Sequence, residues 1–597
     1  MNSSVLSFLS GGLLMVLVLC QAGAQQPALP QRLTPPPGSV SFGAVVRVLA
    51  NGNIVVTDPD YSIPGPEPVE RAGAVHLYDG ATLELISTLT GSLPEDHAGQ
   101  AWIDELPGGN YVVTHYNWRQ KTGAVTWCSG TAGLSGQVSA ANSLTGTRPG
   151  DQIGSRQLEA FGNGDYAVRS PDWNESRGAV TWGSGTSGVT GEITVSNSLI
   201  GSKARDSVGN SALRRLPNGN FLVYSSLWRG RSGSGALTWV DAHAPITGEV
   251  SAANSLVGMG TGLSSSDRNF LIMLKNGNYV VQAPEWNRRQ GAVTWGSGTS
   301  GVIGEVSVAN SLLGTGTDSL FSWNGIIELA SGNFLVYSPD WNGKRGAVTW
   351  VDGAKGASGV VSAANSLINA SPSQGGLAVY PLANGNYVTA FPTWGGSIGP
   401  AGQWMGAVVW GSGTEGVRGA VSTANALTGT QRYDNIGSGG ITALANGNYV
   451  VNSPRWSEAR GAATWCDGGK PVTGEVSAIN SLTGGAPSQA VGTGSTALTD
   501  GHYVVRSPGW NDGAGAVTWC NGATGRTGEV SEADSLTGNS GAGEVFGDNV
   551  GSLDSVALAN GNYVAISKDW GGGRGAVTWC RGGAPVTGKV TEANSLT

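Results

Sequence analysis

A turn signature returns through almost the whole chain, and its period limits the fold more than any other feature. An Asn-Gly pair, or a close relative of it, opens a short run of β-formers at Asn51, Gly108, Asn163, Asn218, Asn276, Ser331, Asn384, Asn446, Asp500 and Asn560. Asn-Gly between apolar runs is among the strongest hairpin signals. A second signature, Gly-Ala-Val-Thr-Trp in its commonest form, keeps step. Its Gly falls at 73, 123, 178, 235, 291, 346, 406, 461, 515 and 575, so neighbouring copies lie 50 to 60 residues apart. In the copy at 441–484, β-formers Tyr449 to Val451 follow the turn, and a Pro-containing loop carries Trp456. Gly461 to Trp465 then reads as a third strand, and Gly474 to Leu482 as a fourth.

Four strands of about five residues with their turns occupy ~40 to 60 residues. Coils of a β-helix and leucine-rich repeats are about half as long. No segment carries helical periodicity over a useful length. The period therefore predicts an all-β chain of ten four-stranded antiparallel blades of a β-propeller, each stable only when stacked on its neighbours. Glycine, at 97 of 597 residues, is far above the usual ~7%, but 21 Trp and recurrent Val runs set this chain apart from a disordered one. Net charge is −8 and only 12% of residues are charged, without the basic stripe that a nucleic-acid surface needs.

Residues 1–24 read as a secretory signal peptide, with an apolar core from Val5 to Cys20 and a small-residue cleavage site at Ala22-Gly23-Ala24. Its n-region lacks Lys and Arg, and Leu19 is too bulky to precede a lipidated Cys20. Residues 25–38 form a Pro-rich spacer, expected to be extended and poorly packed, and 39–597 the repeat array. No later stretch approaches the ~20 apolar residues of a membrane helix, so export without membrane insertion is expected, to the medium or the cell surface.

The copies resemble FG-GAP repeats, the blades of the integrin α-chain type of propeller. Asp434-Asn435-Ile436-Gly437-Ser438 is similar to the FG-containing start of that repeat, Asn452-Ser453-Pro454 to its Gly-Ala-Pro, and Gly461-Ala462-Ala463 to its Gly-Ala-Val. The resemblance implies a propeller. It does not bring calcium with it, because the family's run of alternating Asp or Asn around a Gly is replaced here by the tight Asn-Gly turn. Propellers have four to eight blades. Ten copies favour one unusually wide ring, with two rings or an open superhelix as alternatives.

Nine copies carry two tryptophans. One set ends the third strand (Trp127, Trp182, Trp239, Trp295, Trp350, Trp410, Trp465, Trp519, Trp579), alternates with Thr and is expected to pack blade on blade. The other lies in the loop before that strand: Trp118, Trp173, Trp228, Trp286, Trp341, Trp394, Trp456, Trp510 and Trp570. Several of these precede an amide, as in Trp173-Asn174, Trp286-Asn287, Trp341-Asn342 and Trp510-Asn511. An indole beside a polar amide suits stacking on a sugar, so these pairs and Trp118 are the candidate ligand contacts. Packing beneath the loop is the competing reading. Asp96, Asp151, Asp206, Asp267, Asp318, Asp434 and Asp548 precede first strands, with Gln374 and Gln489 in two other copies. A side chain that bonds its own turn explains the Gln replacements better than a ring of carboxylates does. Cys128, Cys466, Cys520 and Cys580 follow strand tryptophans and are expected as buried thiols; equivalent positions in neighbouring blades lie beyond disulfide reach. The five His are scattered, without ligand spacing, and no metal or cofactor is expected.

No acid/base set breaks the repeat symmetry. The expectation is a non-enzymatic exported scaffold for adhesion or interaction, its partner a protein or glycan at a cell surface. A lectin-like propeller using the loop Trp residues is the alternative, and a carbohydrate-active propeller enzyme a third.

Overall fold

The computed structural model describes residues 32–100, 102–229, 235–259, 270–316, 325–370, 376–395, 404–541 and 547–597. The leader, the start of the spacer, and Asp267, Asp318 and Gln374 lie outside the described residues.

Ten sheets follow one another along the chain, nine of five strands and the last of four. Repeat eight illustrates the plan. Its first strand, Ile441–Ala443, pairs antiparallel with the second, Tyr449–Ser453, which pairs with the third, Ala462–Cys466. The third pairs with Leu482–Thr483. One expectation is corrected here. The stretch from Gly474 to Leu482 is two short strands: Gly474–Glu475 leaves its own sheet and adds parallel to Leu427–Thr428 of repeat seven. Asn480 bridges the break, accepting Ser477 N–H at Oδ1 (2.9 Å) and donating from Nδ2 to the Glu475 carbonyl (2.8 Å). Gly588–Lys589 and Ser595–Leu596 divide in the same way at the C-terminal end.

Each sheet before the tenth is covered on both faces, so alternate residues of one strand serve two cores. Tyr449 and Val451 pack with Leu382, Val388 and Leu427 of repeat seven, whereas Val450 packs with Tyr503, Val505 and Trp510 of repeat nine. This two-sided burial is why the strands read as continuous apolar runs. It also makes every core cluster the joint property of two repeats, as in a nearest-neighbour array. Inside the sheet, Thr464 and Ser481 hydroxyls bond each other at 2.8 Å, satisfying two buried polar groups with one contact.

The partner of the second-strand aromatic is matched by size. Tyr166, Tyr279 and Tyr387 face Gly183, Gly296 and Gly411; Phe221 and Phe334 face Val240 and Val351; Tyr111, Tyr449, Tyr503 and Tyr563 face cysteines. A Cβ at Gly183 would stand 2.2 Å from Tyr166 Cζ. The four cysteines are free and buried, and burial pushes the Cys128, Cys466 and Cys520 thiols up to about 12.

The two ends differ. At the N-terminal end, the described part of the Pro-rich segment packs on repeat one instead of standing free. Tyr78 O–H donates to the Thr34 carbonyl, Asp58 accepts the Val40 and Ser41 N–H groups, and Phe42 meets Tyr78 edge-on at 6.0 Å. At the other end the tenth sheet has no fifth strand, and Trp579 and Leu596 are 59% and 79% exposed. No strand joins the tenth sheet to the first among the described residues. None of the helices among the described residues is long and apolar enough to cross a membrane.

Candidate functional site

The loops of each repeat gather at two opposite ends of the sheet, and the ends are built differently. At one end lies the Asn-Gly turn. Its amides do more than close a hairpin: Asn446 and Asn448 donate from Nδ2 to the Gly522 carbonyl of the next repeat (2.8 and 3.0 Å), and Trp465 Nε1 donates to the same oxygen (3.0 Å). Asn448 Oδ1 in turn accepts Gly468 N–H at 3.1 Å. One carbonyl is thus the anchor for three donors of the repeat before it, and Gly298, Gly353, Gly413 and Gly468 serve in the same way. This accounts for the strand Trp set as an inter-repeat contact, and repeats two, four and five repeat the Trp-to-Gly bond.

At the other end lie the Trp loop and the loop that connects one repeat to the next. The buried carboxylate of Asp151 joins them. Its Oδ2 accepts Thr147 and Arg148 N–H (2.8 and 3.0 Å), and its Oδ1 accepts Asn174 N–H across the Trp loop (2.8 Å). Asp96, Asp206 and Asp434 bind in the same manner. With both oxygens of each taken by backbone donors, these carboxylates serve their turns. Among the described residues no group of His, Cys, Asp and Glu gathers to hold a metal.

Held by that carboxylate, the backbone after the loop Trp makes a left-handed turn. Asn174, Glu175 and Ser176 have φ of 50°, 60° and 59°, and Arg119, Gln120 and Lys121 of 49°, 57° and 64°. Left-handed backbone costs a non-glycine residue roughly 1–2 kcal/mol. Repeat ten meets this geometry with Gly571, Gly572 and Gly573, which carry no such cost.

The turn decides where the candidate ligand contacts go. It drives the indole inward and leaves the following side chains outside. Trp118, Trp173, Trp341 and Trp510 are 2%, 5%, 5% and 7% exposed, each in the core between its own repeat and the one before. The N–H groups of Trp118, Trp173 and Trp341 reach no acceptor. Arg119 lies 4.6 Å over the Trp118 ring, covering it further. Trp286 differs, being half-buried. Asn287, Asn342 and Asn511 are exposed and Asn174 is half-buried. These residues do not converge: the five tryptophans belong to five separate core clusters, one position along each of five repeats. Asn369-Ala370-Ser371 matches a glycosylation sequon, but Asn369 is 1% exposed, which closes that amide to a glycan.

Two kinds of residue escape the sequence reading. The turn amides Asn446 and Asn448 look like hairpin residues only, and nothing local tells which carbonyl they reach. Ala357 stands where other repeats carry Leu134, Val189, Ile246, Val302, Val417, Val472 or Val586, a departure that Arg526 of repeat nine shares and that is visible once the copies are aligned.

No curated protein matches this sequence. Among solved structures, one described as "Crystal structure of the eukaryotic initiation factor" is 11% identical, over 74% of this chain and 90% of that one, with a TM-score of 0.24. Another, "Streptogramin B lyase structure", is 9% identical over 58% and 88%, with a TM-score of 0.19. Likeness at these scores carries no weight for architecture or activity. The family described as "Repeat of unknown function (DUF5650)" matches at residues 105–155, 160–210, 215–265, 273–322, 328–375, 381–438, 443–493, 497–552 and 557–597, and to this family the chain belongs.

Proposed function

We propose that this protein is an exported, non-enzymatic interaction scaffold that presents one end of its stacked sheets to a partner at a cell surface. One observation supports this reading above others. The Asn-Gly turn spans five residues in all ten repeats (for example 106–110, 161–165 and 444–448), and the following turn spans seven in the nine repeats that have it. At the opposite end, the Trp loop runs from 171–178 in repeat three to 392–406 in repeat seven. The loop between repeats runs from nine residues (369–377) to eighteen (538–555). Variable loops on a constant scaffold are how repeat proteins build binding faces. The outward residues of that rim also differ from copy to copy: Arg119, Gln120 and Lys121 in one, Asn287, Arg288 and Arg289 in another, Asn511 and Asp512 in a third.

The arrangement we favour is propeller-like, of the FG-GAP kind, with first strands innermost. Its support is that first strands of repeats seven to ten neighbour one another, and that Ser495 Oγ bonds Thr442 Oγ1 across two of them at 2.8 Å. Ten blades in one ring remain our preferred count, and small-angle scattering separates a ring from an open superhelix by its radius of gyration.

Function is tested by bead adhesion to cultured cells and to extracellular-matrix proteins. Replacing Arg119, Lys121, Arg288 and Arg289 together by Ser is expected to lower adhesion, and replacing the exposed turn residues Thr131, Thr186 and Thr299 by Ser to leave it unchanged. Equal effects from both sets defeat the proposal. A lectin reading through the loop Trp set has one point in its favour, the half-buried Trp286 beside exposed Asn287. A glycan array with Trp286→Ala decides it.

A further inference from the structure

An open groove of about 280 Å³ lies between repeats five and six, walled by Trp295, Val302, Asn310, Lys355, Ala357 and Ser358. It lies at an interface where the repeat pattern is broken. In the corresponding place at most other interfaces a branched side chain lies against the preceding strand Trp (Val189 with Trp127, Val302 with Trp239, Val417 with Trp350, Val472 with Trp410), and repeat nine carries Arg526 there. Here the residue against Trp295 is Ala357. Two methyl groups fewer leave space beside the half-buried ring.

The chemistry left in the groove is specific. Trp295 Nε1 is already committed to the Gly353 carbonyl at 3.0 Å, and Gly356 lies so close to the ring that a Cβ there would meet Trp295 Cγ at 2.8 Å. The indole is therefore fixed in place, and what it can offer a ligand is ring surface, not a hydrogen bond. The Asn310 amide is spent on its own turn, donating to Ile303 and Glu305 carbonyls and accepting Ser307 N–H. At the rim stand the exposed Lys355 ammonium, whose Nζ lies 3.5 Å from Oδ2 of the half-buried Asp352, and the exposed Ser358. An apolar plate beneath an ammonium and a hydroxyl matches a ring with one C–H face and adjacent hydroxyls on its edge. The volume lies just under the ~300–1,000 Å³ of drug-sized sites, which fits one ring and not a larger ligand.

We infer that this groove binds a single pyranose unit of a polysaccharide, stacked on Trp295 with its hydroxyls on Lys355 and Ser358. The site is separate from the variable rim, and its residues belong to neither the loop Trp set nor the left-handed turns.

The test restores the rule of the other repeats. Ala357→Val places there the side chain that five aligned repeats carry, so folding is preserved, and a thermal midpoint no lower than the parent's confirms it. Saturation-transfer NMR and calorimetric titration against soluble (1,4)-β-glucan oligosaccharides, mannan and polygalacturonate are expected to detect binding by the parent protein. Ala357→Val should weaken it at least tenfold, as should Trp295→Ala, while Trp127→Ala should not. Absence of binding to all three polysaccharides overturns the inference, and so does an Ala357→Val protein that binds as the parent does. Rim substitutions that abolish adhesion but leave the titration unchanged keep this result distinct from that of the proposed scaffold role.

Discussion

Replacing Trp341 by Ala asks whether the loop tryptophans hold the array together or wait for a ligand. The side chain is 5% exposed, among Leu274, Val280, Leu312, Phe334, Val336 and Val361, which come from repeats five and six. An indole that buries roughly 200 Å² is worth about 5 kcal/mol at ~25 cal/mol per Å². Against this stands its N–H, buried without an acceptor, a defect of about 1–3 kcal/mol that disappears with the ring. The net loss on truncation is then about 3 kcal/mol, at the low end of the usual range for a large aromatic. Trp341→Phe keeps most of the ring and deletes the orphaned donor, so it should cost no more than about 1 kcal/mol. Denaturant midpoints measure the size of both effects, and hydrogen exchange locates them: lost protection should fall in repeats five to seven, because each sheet touches only its neighbours. An Ala variant that unfolds with the parent, or a Phe variant as damaging as Ala, refutes the packing account and reopens the indoles to ligand.

Other substitutions probe the same construction. Gln489 stands where Asp434 and Asp151 collect three backbone donors, and its Oε1 has no partner; Gln489→Asp should raise the free energy of unfolding in urea by about 1–3 kcal/mol. Gly183→Val should lower it by 2 kcal/mol or so through collision with Tyr166, and the Tyr166→Phe double variant should recover part, since Phe faces Val at two other sheets; a double-mutant cycle reads the coupling. Burial holds His76 down to about 4 and His115 to about 3, both below the ~6.5 of an unfolded chain. Their contribution is complete above pH 6.5 and is lost as pH falls towards 4 and below, so urea midpoints should decline over that window, first in repeats one and two by hydrogen exchange. The four array thiols, pushed up to about 11 or 12, should stay unmodified by a thiol reagent at pH 8 until the protein is unfolded, as mass spectrometry counts directly.

How far the sequence was legible follows from which interactions are local. Second and third strands are five-residue apolar runs beside strong turn signals, and both stand where the pattern puts them. The strand exchange of Gly474–Glu475 was not legible, because a two-residue parallel pairing with repeat seven has no hydrophobic signature. The left-handed turn was half-legible. Gly571 to Gly573 and Asn342-Gly343 favour it on their own, but Arg119-Gln120-Lys121 does not, and there the Asp96 carboxylate imposes it. The two Trp sets recur equally and so cannot be ranked by repetition. What separates them is the turn that tucks one set beneath the loop, and the neighbour at a single position, Ala357 or Val, that leaves or fills space beside the other.

The same distinction between local and long-range bonds explains why one end of the array can vary. Lengthening the turn at 444–448 by one residue would carry Asn446 and Asn448 away from the Gly522 carbonyl and release Trp465 with them, loosening the contact between repeats eight and nine. The opposite loops are tied at a few fixed points, such as the Ala490 and Val491 N–H bonds to the Ala459 and Arg460 carbonyls. Asp434 needs only Thr430 and Gln431 N–H on its own loop and Ser457 N–H on the Trp loop, so residues inserted between those points leave its three bonds intact. In repeat seven the Trp loop extends to 392–406, yet Trp394 stays buried and its Nε1 reaches the Val421 carbonyl at 3.3 Å. Loop closure costs only about 0.6 kcal/mol for each doubling of length. Sequence change therefore accumulates where it does not disturb the stack, and that end of the sheets is free to be shaped by whatever it meets.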